Sequence, residues 1–408
     1  MGQRVSFQAK LPTFAQDGTQ SAAGLRVALF SGNYNYTRDG ANKALNKLVG
    51  HLLQRGAAVR VYSPTSNNPA FDPAGDLVSV SSVAIPGRSE FRVALGLPKR
   101  TAVDVRQFKP NIFHLSAPDW LGTGAQQLAW AMGVPTVASM HTRFETYFEY
   151  YGLGTLRSWA LRRQRKFYQQ CNWVLAPNEP SRSHLVELGV TRERVGIWSR
   201  GVEHALFSPA HRDLSWRRAL GYADDEVVIL FFGRLVREKG TDCFAATVQE
   251  LRQRGLPVRP LIVGDGPARE EMARRLGDAM FLGHLEGPHL GRAIASADIL
   301  LNPSLTEAFG NVNLEAMAAE LAVVSADVGS ASALITDGVD GFLCPPEPAH
   351  FARLVAMLSV DPHTRTRVGR EAAITAQKYQ WPEVLEGVID AYRDLVRVRE
   401  YREADPRH

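Results

Sequence analysis

Short runs of branched and aromatic apolar residues alternate with longer amphipathic stretches along most of this chain. In the first half the short runs fall at 25–30, 58–62, 111–115, 134–138 and 173–176; in the second they fall at 227–232, 259–263, 298–301 and 322–325. Their nearly continuous apolar character predicts strands covered on both faces, since neither face then meets water. Helical spacing fills the gaps, over about 40–56, 121–133 and 157–171 in the first half. A repeated strand–helix–strand order predicts parallel sheets wrapped by helices, and its recurrence predicts two Rossmann-like, doubly wound α/β domains facing a central cleft. Gly201 and Pro209 punctuate a linker at 200–209. The expected organisation is a mobile arm over 1–24, a first domain over 25–203, a second over 204–380, and a closing helix and tail over 381–408 that could cross back to the first domain.

With 408 residues, 45% hydrophobic and 22% charged, the chain reads as a globular protein of two or three domains. It contains no run of about 18 apolar residues, so no membrane-spanning helix is expected. The first 24 residues lack the apolar centre of a signal peptide. Their opening, 1–6, fits a myristoylation pattern loose enough to arise by chance. Cys171, Cys243 and Cys344 lack C-x-x-C spacing, which argues against a zinc site or disulfide scaffold and for core thiols in a reducing, cytoplasmic compartment.

The net charge of +5 is modest, so its distribution matters more than its size. No acid occurs between Glu149 and Glu179, and Arg157, Trp159, Arg162, Arg163, Arg165 and Lys166 lie in that gap. Cations attract anionic lipid and aromatic rings settle at the interface, so this helix is a candidate for peripheral docking on the cytoplasmic face of a membrane. The plainer alternative is a packed helix with a solvated arginine face.

The most informative stretch is Glu307-Ala-Phe-Gly-Asn-Val-Asn-Leu-Glu315, which follows a strand and runs into a helix. A helix start offers unpaired backbone N–H groups to an anion, here from Phe309, Gly310, Asn311 and Val312. Glu307 and Glu315 flank that seat and suit hydroxyl groups on either side of a phosphate, the pattern of a nucleotide-sugar site. Phe232-Gly-Arg-Leu-Val-Arg-Glu-Lys-Gly240 brings Arg234 and Lys239 to another strand end, where fixed cations would stabilise a departing diphosphate. Val263-Gly-Asp-Gly-Pro267, with Gly266, is a weaker Gly-rich turn of the same kind. In the first half, His141 follows a strand and could donate to a sugar hydroxyl, with His114 as its rival. Gly40 opens the first helix, where it permits either close ligand approach or a turn.

Taken with His141-Thr142 and Gly201-Val-Glu203, these motifs resemble the retaining glycosyltransferases of family 4, which have the GT-B fold. The resemblance extends from about Leu25 to Asp390. The first half, through His114-Leu-Ser-Ala-Pro118, Tyr150-Tyr-Gly-Leu-Gly154 and Trp198-Ser-Arg-Gly-Val-Glu203, looks closest to the branch of mannosyl- and sulfoquinovosyl-transferases that act on diacylglycerol glycolipids. The resemblance implies that Arg234 and Lys239 hold the donor diphosphate, with Gly40 beside it. It also implies that Glu307 meets the sugar hydroxyls, Glu315 the ribose, and the amides of Phe309, Gly310 and Asn311 the sugar and phosphate. His141 matches the histidine beside the donor sugar. No metal or cofactor is implied, because the cations and the helix start replace a divalent ion. In the favoured mechanism the leaving phosphate takes the acceptor's proton, so no protein base is needed. The implied reaction moves a hexose from a UDP- or GDP-sugar to a membrane glycolipid or lipid-linked saccharide.

Two departures bear on donor identity. The family's Ala-x-Gly-x-Pro reads Ala319-Glu-Leu-Ala-Val here, and its Gly-Gly-x-x-Glu reads Gly329-Ser-Ala-Ser-Ala333. Arg200 stands in place of the commoner Asn, as in the glycolipid branch. A soluble small-molecule acceptor is the nearest alternative. A nicotinamide enzyme would need Gly-x-Gly-x-x-Gly after a strand, which Ser31-Gly-Asn-Tyr-Asn-Tyr36 and Gly122-x-Gly124 both fail to supply. A phosphorylase of the same fold would need a pyridoxal-phosphate lysine. A non-catalytic protein that binds anionic membrane or nucleic acid would leave Glu307, Glu315, Arg234 and Lys239 without a role, so no nucleic-acid partner is expected.

Overall fold

A computed structural model of the chain describes residues 21–36, 40–85, 88–141 and 154–404. The motif at 1–6, most of the 1–24 arm, Thr142, the 150–153 part of the first-half motif, the Arg157 side chain and the tail from 405 lie outside the described residues. The chain forms two compact units, one taking the described residues through Ser199 together with the chain from Pro382, the other Arg200–Trp381.

The strands of the first unit are β1 (Arg26–Phe30), β2 (Ala58–Ser63), β3 (Asp76–Ser79), β4 (Val83–Ile85), β5 (Arg88–Val93), β6 (Ile112–Leu115), β7 (Thr136–Ser139), β8 (Trp173–Ala176) and β9 (Val195–Ile197). β4 and β5 form an antiparallel hairpin; the other seven make one parallel sheet in the order β3-β2-β1-β6-β7-β8-β9. Every residue of β6 and β7 is buried, as their apolar runs require when helices cover both faces. Phe30 anchors the middle of the sheet, stacked 4.9 Å from Tyr62 and 5.5 Å from Phe113. The last helix, Trp381–Ala404, buries Leu385, Val388, Ile389, Tyr392 and Leu395. Their spacing of three and four residues gives a single apolar stripe.

The second unit contains β10 (Val227–Phe232), β11 (Val258–Val263), β12 (Met280–Gly283), β13 (Ile299–Asn302), β14 (Ala322–Ala326) and β15 (Phe342–Cys344). They form a parallel sheet in the order β12-β11-β10-β13-β14-β15. Counted from its own first strand, that order is the 3-2-1-4-5-6 of dinucleotide-binding sheets, with the reversal between β10 and β13. The starts of those two strands are tied by a buried charge network. Arg217, fully buried, donates to Asp298 Oδ2 at 3.0 Å and to the carbonyls of Ser296 and Glu226 at 2.8 and 2.7 Å, while the Val228 amide donates to the same Asp298 oxygen at 2.8 Å. These bonds engage both terminal nitrogens of the buried guanidinium, as its burial requires, while its Nε has no partner among the described residues.

The apolar runs locate the central strands, but β3, β9, β12 and β15 escape that reading. Each has only three or four residues, too short a run to stand out, and all four lie at a sheet edge. The strand expected at 134–138 begins later, at Thr136, because Pro135 has no amide to give the ladder. Cys171 and Cys344 are buried free thiols as expected, whereas Cys243 is partly exposed.

After the helix Asn311–Ala318 the chain turns at Glu320 with φ 64°, one of two non-glycine residues with positive φ among those described. The turn that glycine favours is therefore kept by a residue that pays steric strain for it. The Glu320–Arg370 ion pair, 3.6 Å long and exposed on the arginine side, offsets little of that strain. Glu320→Gly is expected to raise the unfolding free energy by about 0.5–1 kcal/mol. Urea unfolding of the two proteins checks this, and an unchanged or lowered midpoint would contradict it.

Candidate active site

The loops that leave β10 and β13 meet beside the reversal of strand order. From β10 the chain turns at Gly233 (φ 140°), makes a short turn over Arg237–Lys239, and enters the helix Thr241–Gln253 through Gly240 (φ 75°). A Cβ at Gly240 would lie 2.7 Å from the Pro303 carbonyl oxygen, so only glycine lets this loop press against the one that follows β13. That contact brings Lys239 Nζ to 2.6 Å from Glu307 Oε1, and the same oxygen accepts from Ser304 Oγ at 3.1 Å. Both charged side chains are largely shielded, with 18% of Lys239 and 16% of Glu307 exposed, so water screens the pair only in part.

Buried amides hold the β13 loop from behind. Asn302 Nδ2 donates to Asn313 Oδ1 at 2.8 Å, Asn313 Nδ2 donates to Ser325 Oγ at 3.0 Å, and the Ser304 amide donates to Asn302 Oδ1 at 3.2 Å. Gly310, at φ 95°, then starts the helix Asn311–Ala318 without a side-chain cap. Its first amides are thus available to an anion. Phe309 is buried against Tyr379, so it offers only its backbone, while Val312 and Glu315 are half-buried on the first turn and a half. Arg234 is exposed and has no ion-pair partner among the described residues. Gly266 (φ 154°) has a packing role of its own. A Cβ there would lie 2.5 Å from the Leu235 carbonyl oxygen, so it keeps the β11 turn close against the Arg234 loop.

In the first unit, Gly40 heads the helix Gly40–Gln54, whose first turn carries no acid. His141 lies two residues beyond β7 and is half-buried. His114, its rival in the sequence, is not a surface group: it is fully buried within β6 and wholly hydrogen-bonded. Its Nδ1 lies 2.6 Å from the Tyr392 hydroxyl and its Nε2 2.9 Å from Ser139 Oγ, and Ser139 Oγ lies 2.7 Å from His141 Nε2. Burial pushes the His114 imidazole down to about 3. Trp198 stands edge-on to both rings, 5.8 Å from His114 and 5.2 Å from His141.

The basic helix is Gly154–Gln169. Gln164, Phe167 and Tyr168 are buried, while Trp159, Arg162, Arg165 and Lys166 are exposed. Arg163 departs from the solvated face: it lies over the Trp159 ring, donates to Thr123 Oγ1 at 3.2 Å, and lines an open hollow of about 710 Å3 with Leu95, Leu97, Trp120 and Leu128. Among the described residues no helix is long and apolar enough to cross a membrane, and no group of three or more His, Cys, Asp or Glu side chains is placed to hold a metal ion.

Residues 38–206 match the family described as Glycosyltransferase Family 4, and residues 226–361 match Glycosyl transferases group 1. A GDP-mannose-dependent alpha-mannosyltransferase of Mycobacterium tuberculosis is 31% identical, over 93% of this chain and 99% of that protein. The chain belongs to glycosyltransferase family 4. The sulfoquinovosyl transferase SQD2 of Arabidopsis thaliana is 28% identical, over 87% of this hexosyltransferase and 71% of that protein. Among solved structures, Anabaena HepE with UDP and glucose superposes with a TM-score of 0.71 at 19% identity, over 90% of the transferase and 99% of HepE. The sucrose-phosphate synthase of Thermosynechococcus elongatus gives 0.74 at 17%, over 92% and 100%. At those identities the likeness shows the fold, which is GT-B.

Several residues that shape the candidate site carry no motif. Ser139, Tyr392, Asn302 and Ser325 act through contacts between separate segments, the Tyr392–His114 bond spanning 278 residues. Only their burial in otherwise apolar runs hints at them. The His114 environment has a measurable consequence. Its folded-state value lies below the unfolded one, so its contribution to stability is intact above about pH 6.5 and is lost as the pH falls toward 3. His114→Gln, which cannot charge, is expected to flatten that acid-induced loss. At pH 4.5 the wild-type loss is on the order of 2–3 kcal/mol. Hydrogen exchange in β6, β7 and β8 between pH 7 and 4.5 reads it, and an equal pH slope in both proteins would contradict the assignment.

Proposed function

We propose that this transferase moves a hexose from a nucleotide diphosphate sugar, with retention of anomeric configuration and without a metal ion, to a membrane glycolipid or lipid-linked saccharide. The observation that carries the reading is the shielded Lys239–Glu307 pair beside the uncapped helix start at Gly310. On this reading Lys239 and Arg234 take the charge that develops on the departing diphosphate, and the Phe309, Gly310 and Asn311 amides bind sugar and phosphate. Glu307 accepts hydrogen bonds from the sugar hydroxyls, and its bond to Lys239 keeps it aimed. Glu315 holds the ribose. In the first unit His141 donates to the sugar and Gly40 leaves room for the diphosphate. The leaving phosphate oxygen accepts the acceptor's proton as the new glycosidic bond forms on the face the old bond left. The mannosyltransferase relatives make GDP-mannose the first donor to try.

Lys239→Ala and Glu307→Ala are each expected to lower kcat on the order of 10²–10³-fold while the protein stays folded. A donor near a hundredfold excess over its Kd is expected to stabilise the wild-type protein by about 2.7 kcal/mol, equally with and without EDTA. Calorimetry, initial rates and the product's anomeric NMR coupling test these points together. Near-wild-type turnover in either variant, an EDTA-sensitive rate, or an inverted product would each refute the corresponding part.

For the acceptor side, the supporting observation is the exposed Trp159 on a helix that also exposes Arg162, Arg165 and Lys166, beside the hollow where Leu95 and Trp120 are exposed. This is the chemistry of an anionic membrane surface, with rings at the interface and cations at the headgroups. Replacing Arg162, Arg165 and Lys166 together by Ala is expected to weaken binding to phosphatidylserine-containing vesicles by about 3 kcal/mol at low salt. Vesicle pelleting that is unchanged by the substitutions would return the helix to a packing role.

A further inference from the structure

Four side chains form a continuous hydrogen-bonded line inside the first unit: Tyr392 on the last helix, His114 in β6, Ser139 at the end of β7, and His141. Three of them, Tyr392, His114 and Ser139, are buried to 1% exposure or less. The direction in which hydrogens run along this line is fixed at its buried end. Among the described residues, the Tyr392 hydroxyl has one hydrogen-bond partner, His114 Nδ1. Were that nitrogen to carry the hydrogen, the phenol would accept it and leave its own hydrogen buried and unpaired, which burial penalises. Tyr392 therefore donates. The neutral His114 ring then carries its one hydrogen on Nε2 and donates it to Ser139 Oγ, whose own hydrogen goes to His141 Nε2.

We infer that Tyr392, acting through His114 and Ser139, positions His141 as the Nδ1–H tautomer and so fixes which ring nitrogen is the donor. The inference rests on the reading of His141 as the group that donates to the transferred sugar. Under that reading Tyr392, His114 and Ser139 are positioning residues, none of which touches substrate. With Nε2 held as an acceptor inside the protein, the neutral His141 ring has a single hydrogen, at Nδ1, to offer a sugar oxygen. Trp198, edge-on to both imidazoles, resists the ring rotation that would exchange the two nitrogens.

The test is a long-range proton–nitrogen correlation spectrum of the full-length protein labelled with 15N-histidine, taken near pH 8. The expected pattern is a hydrogen on Nδ1 and a bare Nε2 in His141, with the opposite arrangement in His114. A hydrogen on His141 Nε2, or on His114 Nδ1, overturns the inference whatever the variants do. Tyr392→Phe removes the hydroxyl that donates to His114 Nδ1, so both rings are expected to show mixed tautomers. kcat should then fall about tenfold, with KM for the nucleotide sugar within about twofold of wild type. An unchanged spectrum and unchanged kcat in that variant overturn it equally. Should Tyr392→Phe not fold, Ser139→Ala cuts the line at a second point and is expected to release His141 alone. The assigned tautomers in a protein inert to every nucleotide sugar would sink the proposed function and leave the line standing. Full activity with the reversed tautomers would do the opposite.

Discussion

How closely two loops can approach decides the geometry of the candidate donor site. β10 and β13 run side by side at the reversal of strand order, so the chains leaving them start as neighbours. Neighbouring strands do not by themselves bring a lysine and a glutamate into register. The missing side chain at Gly240 does, because its backbone packs on Pro303 where any Cβ would collide. From that contact follow the Lys239–Glu307 bond, the turn at Ser304, and the entry into the helix at Gly310. The buried line of Asn302, Asn313 and Ser325 then keeps the second loop from relaxing away.

The two units solve the placement of polar groups differently. In the second, a cation and an acid sit close to the surface, shielded enough for their attraction to matter and open enough to exchange partners with a ligand. In the first, the polar groups behind His141 are sunk in the sheet, where an unpaired one would be costly and each must be satisfied by the next. Near-surface charge suits groups that meet a charge developing on a ligand. A buried neutral line suits a group whose orientation must stay constant.

Much of this was legible in the residues alone, for reasons that differ by element. β1, β6, β10 and β13 are buried on both faces, and an apolar run is a direct imprint of that burial. Lys239, Glu307 and Gly310 lie within short motifs whose spacing reflects local loop geometry. The edge strand β15 and the hairpin of β4 and β5 left little imprint, being short and only partly covered. His114 read as a competitor to His141 because it ends an apolar run as His141 follows one. What separates them is a hydroxyl 278 residues away, which no local pattern encodes. Arg163 read as part of a solvated face, yet Thr123 and Trp159 claim it.

The first unit is discontinuous in the chain: its sheet is complete by β9, yet the helix that buries Tyr392 against β6 comes some two hundred residues later. A ribosome adding about 5–20 residues per second would release that helix roughly ten to forty seconds after the sheet it covers. During that interval the hydrophobic seat of the helix and the imidazole of His114 lack their covering segment, while the second unit, contiguous in sequence, is completed just before that helix follows. The order of maturation is thus inverted relative to the order of synthesis. The half made first is finished last, and the newborn chain depends most on protection from aggregation at its amino-terminal half.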